Sequence, residues 1–268
     1  MIPTMSDPSP NSVPSFVVII PARYASTRLP GKVLLPLAGK PMLQRVCEQA
    51  LASGAQAVVV ATDDARISQA CEAFGVQVVM TADTHSCGTE RLQEACRMLE
   101  LDPQCVVVNV QGDEPLMPPQ LIRQAATLLA SRPESQMATL CHPLDEIHDV
   151  FNPNVVKVVF NRAGQAIYFS RAPIPWQRQG FDLDKNTIRA DLHYRHIGIY
   201  AYRAGFLSQY VAMEPGPEEQ AESLEQLRAL HHGVEILVSI ACETPGPGID
   251  TEGDLEKVRR LLEGQDLP

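Results

Sequence analysis

The alternation of short apolar runs with helical segments is the feature of the sequence that most constrains its fold. Apolar runs recur through the first half of the chain, at 16–20, 57–61, 76–80 and 105–110. Helical patterns separate or follow them, at 41–53, 64–74, 88–100 and 118–131. Because the runs are continuously apolar rather than alternating, both faces of each strand should be buried. The pattern predicts an α/β fold with a mostly parallel sheet flanked by helices on both sides.

The middle of the chain departs from this alternation. Three apolar segments, at 155–160, 166–169 and 197–202, follow one another without helices between them. Strands that need no helical crossover can pair antiparallel. We interpret this part, about 155–202, as a smaller antiparallel β insertion in the main sheet and as a surface used for dimerisation.

The rest of the chain completes a single predicted domain, 16–262. Helical patterns resume at 204–212, 218–232 and 252–263, with one more strand at 235–241. The first 15 residues contain four prolines and no basic residue, so they do not fit a secretory signal. We expect 1–15 to be a disordered tail.

Composition narrows the class of function. The formal net charge of -10 argues against general nucleic-acid binding, so an anionic ligand must be met by local cations or a metal ion. The seven cysteines are scattered without a CxxC pair, which argues against a zinc site and fits a reducing compartment. No apolar run approaches the roughly 20 residues that a membrane span needs. We expect a cytoplasmic protein with neither nucleic-acid nor membrane partners.

A cationic loop follows the first predicted strand. Arg23, Arg28 and Lys32 lie within 21–32. Loops at the carboxyl ends of such strands bind anionic ligands, and guanidinium and ammonium groups hold phosphate oxygens. The loop has neither the G-x-x-x-x-G-K-[ST] nor the G-x-G-x-x-G spacing. Phosphate binding is one interpretation, and a solvated loop whose cations balance nearby acids is the other.

Two carboxylates are candidate metal ligands. Asp113 comes shortly after the predicted strand 105–110, where ligands of open α/β sheets bind. Asp250 precedes Thr251 and Asp254, which have the spacing of a helix-capping box. If the two acids meet, a Mg²⁺ shared with phosphates would offset their repulsion. The alternative for Asp113 is a turn or helix-cap carboxylate.

Polar residues of the second half are candidates for binding a second substrate. Arg171, at a predicted strand end, can hold a carboxylate, while His196 and Tyr200 can hydrogen-bond sugar hydroxyls. Glu222 and Glu225 share one face of a predicted helix. Packed structural positions for the ring residues and a solvated face for the two glutamates are the alternatives.

A series of short motifs runs from about residue 16 to residue 262. It includes I-P-A-R-Y-A-S-T-R-L-P-G-K at 20–32, V-N-V-Q-G-D-E-P at 108–115, Y-F-S-R-A-x-I-P-W at 168–176, R-H-I-G-I-Y at 195–200, L-E-Q-L-R at 224–228 and G-I-D-T-x-x-D-L at 248–255. In this order and spacing, the motifs resemble those of the 3-deoxy-manno-octulosonate (Kdo) cytidylyltransferases, the CMP-Kdo synthetases.

The resemblance implies a Rossmann-like, GT-A-like nucleotidyltransferase that uses Mg²⁺ and forms a homodimer. Such an enzyme transfers CMP from CTP to the anomeric hydroxyl of Kdo, releases pyrophosphate and so activates Kdo for lipopolysaccharide synthesis. The implied catalytic residues are Arg28, Lys32, Asp113 and Asp250, the last two as Mg²⁺ ligands. The implied nucleotide-binding residues are Ala22, Arg23, Thr62, Asp63, Gly88, Thr89 and Arg91. The implied Kdo-binding residues are Gln111, Arg171, His196, Tyr200 and Glu222.

Two alternatives stay open beside this function. One is a cytidylyltransferase for another ulosonic acid, such as 8-amino-Kdo or sialic acid. The other is a non-catalytic protein that binds nucleotide sugars, against which the presence of Arg28, Lys32, Asp113 and Asp250 together argues. A dehydrogenase is disfavoured because the G-x-G-x-x-G turn is absent from the sequence.

Overall fold

A computed structural model describes residues 14–25, 29–85, 87–178, 181, 188 and 191–264. The predicted tail lies outside these ranges up to residue 13. Arg28, one of the predicted catalytic residues, also lies outside the described residues. The predictions made for these positions stay predictions.

A nine-stranded sheet forms the centre of the described part of the chain. Its strands are β1 (Phe16–Pro21), β4 (Ala57–Thr62), β5 (Gln77–Met80), β6 (Val106–Asn109), β7 (Met137–Pro143), β8 (Lys157–Phe160), β9 (Ala166–Ser170), β10 (Tyr194–Arg203) and β11 (Ile236–Ile240). The strands β2 (Pro36–Leu37) and β3 (Lys40–Pro41) form a separate hairpin. The main sheet runs in the order β11-β7-β10-β6-β1-β4-β5, and β8 joins it through β10.

Parallel pairing prevails in the main sheet. Strand β1 pairs parallel with β4 and β6, β4 with β5, and β7 with β11. Strand β10 runs antiparallel between β6 and β7. The prediction of an α/β fold with a mostly parallel sheet and a smaller antiparallel part is therefore confirmed.

Helices cover both faces of this sheet. They are α1 (Met42–Ala52), α2 (Ala65–Ala73), α3 (Gly88–Met98), α4 (Pro119–Ala130), α5 (Ile147–Phe151), α6 (Ala204–Ala212), α7 (Pro217–Glu222), α8 (Gln226–His231) and α9 (Glu252–Leu262). On β1, Val18 belongs to the core layer of α1 and α4, whereas Ile19 belongs to that of α3 and α6. Because successive side chains of a strand point to opposite faces, the continuous apolar run fills both layers.

Beside the short elements β2, β3 and α5, which were not predicted, one strand and one helix differ from the predictions. Strand β7 was not predicted, because it contains Thr139 and His142 among smaller apolar residues instead of a valine and isoleucine run. The single helix predicted over 218–232 is wrong, because the chain forms α7 and α8 with a break between them. Ser223 has a φ of 51° there, in the left-handed region that a continuous helix cannot contain.

The antiparallel part is continuous with the main sheet. Strands β8 and β9 pair with each other, and Arg195 of β10 pairs with Lys157 of β8. Further along β10, Tyr200 pairs with Asn109 of β6. One long strand therefore links the β8–β9 hairpin to the carboxyl end of β6, where the predicted site lies.

The last helix closes one side of that site. The capping box predicted for α9 is confirmed, since the Thr251 hydroxyl accepts a hydrogen bond from Asp254 N and the Asp254 carboxylate accepts one from Thr251 N. Leu255 and Val258 pack with Leu37 of the β2–β3 hairpin. This packing brings Asp250 close to the first loop. None of the helices in the described ranges is long and apolar enough to cross a membrane.

Candidate active site

A cleft lies where β1 and β6 end, as the loop predictions require. Its largest part, the loop cavity, has a volume of about 590 Å³. The residues around it include Arg23, Tyr24, Lys32, Gln111, Asp113 and Asp250. A second part of about 420 Å³, the strand cavity, shares Arg23 and Gln111 with the first. Its other residues include Thr89, Asn109, His196, Tyr200, Glu225 and Gln226.

Two further cavities adjoin these. The small cavity, of about 100 Å³, is lined by Ala22, Gly88 and Arg91 and again by Arg23 and Gln111. The acidic cavity, of about 420 Å³, shares Asp113 and Asp250 with the loop cavity and His196 with the strand cavity. Because neighbouring cavities share their walls, we treat the four as one cleft.

The buried ammonium of Lys32 joins the two predicted metal ligands. Lys32 Nζ lies 2.6 Å from Asp113 Oδ2 and 3.3 Å from Asp250 Oδ1, and donates a hydrogen bond of 2.8 Å to Ile249 O. The lysine follows Gly31, whose φ of 68° forms the left-handed turn that starts the short 3₁₀ helix Lys32–Leu34. A Cβ at Gly31 would lie 2.9 Å from the Tyr24 ring, so this turn and its packing favour glycine.

The carboxylates around Lys32 carry more negative charge than one ammonium offsets. The pKa of Glu114 is raised to about 7, first by burial and then by the charges of Asp113 and Asp250. No cluster of three metal-ligating side chains occurs among the described residues. Mg²⁺ needs only one or two carboxylates when phosphates and water supply its other ligands. Asp113 and Asp250 supply two hard oxygen donors that both lie close to the Lys32 ammonium, and the pair therefore fits a Mg²⁺ site.

Two predicted nucleotide-binding residues brace each other beside the small cavity. The buried guanidinium of Arg91 lies 2.9 Å from Asp63 Oδ2 and donates a hydrogen bond of 2.5 Å to Thr81 Oγ1. Thr62 is fully buried, and its hydroxyl accepts a hydrogen bond from Asp64 N. Thr62 and Asp63 thus hold the turn after β4. Arg91, which bonds Asp63, is fixed by this turn and lines the small cavity.

Three residues of the strand cavity each have a buried polar atom that makes no hydrogen bond within the described part of the chain. Asn109 Oδ1, the Tyr200 hydroxyl and Gln226 Nε2 are buried without a hydrogen-bond partner among the described residues. All three residues line this cavity. Because a buried polar group without a partner costs about 1–3 kcal/mol, their clustering indicates that a polar ligand completes the site.

Glu225 contributes a carboxylate to the same cavity. Thr89 Oγ1 donates a hydrogen bond of 3.1 Å to Glu225 Oε2, and the Tyr210 hydroxyl donates one of 2.6 Å to Glu225 O. The break at Ser223 lets the chain turn so that Glu225 and Gln226 face the cleft.

His196 lies between the strand cavity and the acidic cavity. Burial first, and then the charge of Arg195, lowers its pKa to about 3. The pKa of Tyr200 is raised well above its usual value, mainly by burial. Both side chains are therefore neutral near pH 7, and the two rings offer hydrogen bonds rather than charge.

Comparisons with known proteins agree with this geometry. The cytidylyltransferase family model matches residues 17–236. A 3-deoxy-manno-octulosonate cytidylyltransferase of Marinobacter nauticus is 57% identical over 93% of this chain and 97% of its own length. That of Idiomarina loihiensis is also 57% identical, over 92% of this chain and 98% of its own length. The chain belongs to the 3-deoxy-manno-octulosonate cytidylyltransferase family. The family resemblance is thus confirmed.

A solved structure supports the same assignment. The synthetase of CMP and 2-keto-3-deoxy-manno-octonic acid, in complex with CTP, is 42% identical to this chain. It aligns with a TM-score of 0.85 over 94% of this chain and 99% of its own length. The described fold is therefore that of a nucleotidyltransferase of this family.

Within this cytidylyltransferase, the cleft brings together most of the predicted site residues. They are Ala22, Arg23, Lys32, Gly88, Thr89, Arg91, Gln111, Asp113, His196, Tyr200 and Asp250. Gly112 lies among them, and a Cβ there would be 3.3 Å from Pro21 O, so its lack of a side chain keeps the β1 and β6 loops close.

Arg171 and Glu222, both predicted to bind Kdo, pair with each other beside the cleft. Glu222 accepts hydrogen bonds from Arg171 N, at 2.8 Å, and Ser170 Oγ, at 2.5 Å. Arg171 Nε donates to Glu222 O at 2.7 Å. Neither residue is among those that line the four cavities described above. Their direct contact with a ligand stays a prediction, and the observed bonds fix the end of β9 to α7.

Three residues of the strand cavity were missed as ligand-binding candidates. The sequence pattern indicates that Asn109 is the polar end of a buried strand and that Gln226 is part of a helix, and neither position points to a ligand. The family resemblance implies Glu222 rather than Glu225 as the Kdo-binding glutamate. A signal was available for two of them, because the motif L-E-Q-L-R at 224–228 contains the Glu225-Gln226 pair. Which glutamate faces the cleft depends on the turn at Ser223, which no helical pattern predicts.

Proposed function

We propose that this enzyme transfers CMP from CTP to the anomeric hydroxyl of Kdo and releases pyrophosphate. The observation that carries the proposal is the division of the cleft at Arg23 and Gln111. One side holds cationic groups and two carboxylates suited to a metal-bound triphosphate. The other side holds the Glu225 carboxylate and the uncharged polar groups of Asn109, Tyr200 and Gln226, which suit a hydroxyl-rich sugar acid.

The loop cavity and the small cavity suit CTP. Arg23, which lines both, and Lys32 supply cations for phosphate oxygens. The small cavity has the backbone of Ala22 and Gly88 and the fixed Arg91 guanidinium for a pyrimidine base. Thr89 and Gln111 lie toward the strand cavity, where the ribose and the second substrate would meet.

Asp113 and Asp250 would hold Mg²⁺. A bound Mg²⁺ offsets charge on the phosphates and lowers the pKa of a hydroxyl that binds to it. The chain's own residues supply position: Lys32 is bonded to Ile249 O beside Asp113 and Asp250, and Arg23, which lines the same cavity, would contact the triphosphate. Holding the two substrates in line supplies much of the catalysis in phosphoryl-type transfer.

The sugar side orients its substrate without a strong base. His196, with a pKa of about 3, holds a proton too weakly to act as an efficient general base near pH 7. It and Tyr200 instead hydrogen-bond hydroxyls of the sugar acid. If Asp113 and Asp250 held a Mg²⁺, the ion would lower the pKa of an attacking hydroxyl bound to it, so that a strong side-chain base would not be needed.

Pyrophosphate release tests the proposal directly. The purified enzyme is assayed with CTP and Mg²⁺ and with Kdo, 8-amino-Kdo or sialic acid as acceptor. We expect turnover with Kdo, a kcat/KM at least tenfold lower with the other two, and loss of activity when EDTA removes the metal. A preference for another acid would assign the enzyme to that substrate. Absence of release with every acceptor would support the non-catalytic alternative.

We also propose that the enzyme is a cytoplasmic homodimer that pairs through 165–202. Support comes from two large apolar side chains of this segment, Ile167 and Trp176, which are 59% and 66% exposed. Such exposed apolar groups are typical of association surfaces. Light scattering after gel filtration should give twice the chain mass for the wild type, and the chain mass for Trp176→Glu if the surface is correct. A monomeric wild type would refute the dimer.

A further inference from the structure

Strand β10 carries an irregularity at the edge of the strand cavity. Ile197 pairs with Leu140 of β7, but Tyr200 pairs with the adjacent Thr139. Gly198 and Ile199 are therefore extra residues on β10, and they form a bulge. His196 and Tyr200, the two ring residues that line the cavity, stand on either side of it. Because the two rings flank the bulge, a side chain that holds the bulge in place also holds the positions of His196 and Tyr200.

The side chain of Thr139 fills the bulge. Thr139 is fully buried, and its hydroxyl oxygen lies 2.7 Å from Ile199 O and 3.2 Å from Ile197 O. The same oxygen lies 2.9 Å from His196 Nε2. The Thr139 hydroxyl thus contacts three groups of β10: the His196 imidazole and the two carbonyl groups on either side of Gly198.

The hydrogen-bonding capacities of these groups determine the position of one proton. A carbonyl oxygen only accepts hydrogen bonds, and a threonine hydroxyl has a single proton to donate. If Thr139 donated to His196 Nε2, its lone pairs would face two carbonyl oxygens, one of them at 2.7 Å. The hydroxyl must therefore donate its one proton on the carbonyl side, where Ile199 O is the nearer acceptor, and Nε2 must carry a proton and donate to Thr139.

We propose that Thr139 is a positioning residue for the sugar substrate, because it holds His196 as the Nε2–H tautomer. In the neutral ring, the other nitrogen, Nδ1, is then an acceptor for a substrate hydroxyl. The identity of that substrate as Kdo rests on the function proposed above, whereas the tautomer does not.

The surroundings of His196 support a single fixed orientation. The ring packs edge-on against Phe169, with ring centroids 5.1 Å apart, and lies 5.2 Å from Tyr200. Burial keeps the ring neutral, since its pKa falls to about 3. A ring with its proton on Nδ1 could donate to Thr139 only by gaining a second proton on Nε2. Burial prevents this, so the tautomer must be the correct one from the start.

Substitutions at Thr139 separate this role from a structural one. Thr139→Val keeps the shape but removes the hydroxyl, and Thr139→Ser keeps the hydroxyl. For Thr139→Val we expect the KM for Kdo to rise about tenfold, the effect of one lost hydrogen bond, with the KM for CTP changed less than about twofold. Thr139→Ser should stay within about threefold of the wild type for both. Thr127→Val is the matched control, because the Thr127 hydroxyl bonds Arg123 O on the exposed side of α4.

The tautomer itself is read by nitrogen NMR of histidine-labelled protein. The signals of His196 are identified by their loss in His196→Gln. We expect the Nε2–H pattern in the wild type and in Thr139→Ser, and a mixture of tautomers in Thr139→Val. A wild-type ring protonated on Nδ1 would overturn the proposal even if Thr139→Val did not fold. Equal rises in the KM for CTP and Kdo in Thr139→Val would also overturn it. Failure of the wild type to use Kdo would refute the proposed substrate and leave the tautomer to be decided by the spectra.

Discussion

At the scale of the residue, Lys32 connects the first loop to both proposed metal ligands. Its ammonium is buried and shared by Asp113, Asp250 and the carbonyl of Ile249. A lysine buried to this extent requires charged or polar partners on the protein side, since desolvation of its ammonium is costly. Here those partners are the proposed metal ligands, so one side chain links the first loop to both of them.

Removal of this ammonium should abolish most of the activity. We expect Lys32→Met to lower kcat at least about 100-fold, because a cation that offsets phosphate charge in a shielded site contributes several kcal/mol. Pyrophosphate release measures the effect. Lys40→Met is the control, because Lys40 makes an exposed ion pair with Glu48 outside the cleft. A kcat for Lys32→Met within fivefold of the wild type would contradict the assigned role.

His196 should make the stability of the protein depend on pH in the acid range. Its pKa is lowered to about 3 in the folded state, against an ordinary value of 6.5. Between these values the unfolded state binds more protons than the folded state, so the stability that the neutral ring contributes is lost as pH falls from 6.5 toward 3.

The measurement compares urea unfolding of the wild type and His196→Gln from pH 6.5 to pH 4. We expect the free energy of unfolding of the wild type to fall more steeply, by up to about 1.4 kcal/mol per pH unit, which is the effect of one proton. Parallel slopes for the two proteins would show that His196 titrates normally.

At the scale of the element, the break between α7 and α8 determines the composition of the strand cavity. Ser223 takes a left-handed conformation, with a φ of 51° and a ψ of 50°. The chain then enters α8 with Glu225 and Gln226 toward the cavity, while Glu222 remains with Arg171. A continuous helix would place Glu222 and Glu225 on one face, which is the arrangement that the local pattern suggested.

Glycine should be better tolerated than serine at this break. A left-handed conformation costs a non-glycine residue about 1–2 kcal/mol, which glycine avoids. We expect Ser223→Gly to leave the free energy of unfolding unchanged or to raise it by up to about 1 kcal/mol, as measured in urea.

The same substitution at Ser131 is the matched control. Ser131 follows α4 in a right-handed helical conformation, with a φ of -70°, so glycine there has no strain to relieve. Ser131→Gly should lower the free energy of unfolding by about 0.5–1 kcal/mol. If Ser223→Gly lost as much stability as Ser131→Gly, the left-handed turn would not be a source of strain.

At the scale of the whole molecule, the cleft joins parts that are far apart in the chain. The first loop reaches Asp113 across 81 positions and Ile249 across 217. The hairpin β2–β3 and α9 pack together and close this side. A nucleotide in the loop cavity would therefore contact segments from the start, the middle and the end of the domain.

CTP with Mg²⁺ should accordingly stabilise the entire fold. A ligand at 100 times its Kd that binds only the folded state adds about 2.7 kcal/mol to the free energy of unfolding. We expect a clear rise in the thermal midpoint of the wild type and a much smaller one in Arg23→Met at the same ligand concentration. Arg97→Met, whose side chain lies exposed near the end of α3, should respond like the wild type. An undiminished shift in Arg23→Met would remove Arg23 from the nucleotide site.

Much of this architecture is local in origin and could be predicted. Continuous apolar runs identified β1, β4, β5 and β6, and Thr251 with Asp254 identified the start of α9. The order of the loop cations and of Asp113 after their strands placed them at one edge of a parallel sheet. Strand β7 was not predicted, because Thr139 and His142 interrupt its apolar character for reasons of hydrogen bonding within the sheet.

The sequence by itself determined the α/β class, the succession of most elements and the family, because these depend on periodicity and on motifs that can be read within a short window. Only the tertiary structure decided which side chains meet. It inserted β10 antiparallel between β6 and β7, paired Lys32 with both acids, turned Glu225 rather than Glu222 toward the cleft and set Thr139 beneath His196. The physical reason is that hydrogen bonds and charges act over a few ångströms in space, between residues whose separation along the chain leaves no local pattern.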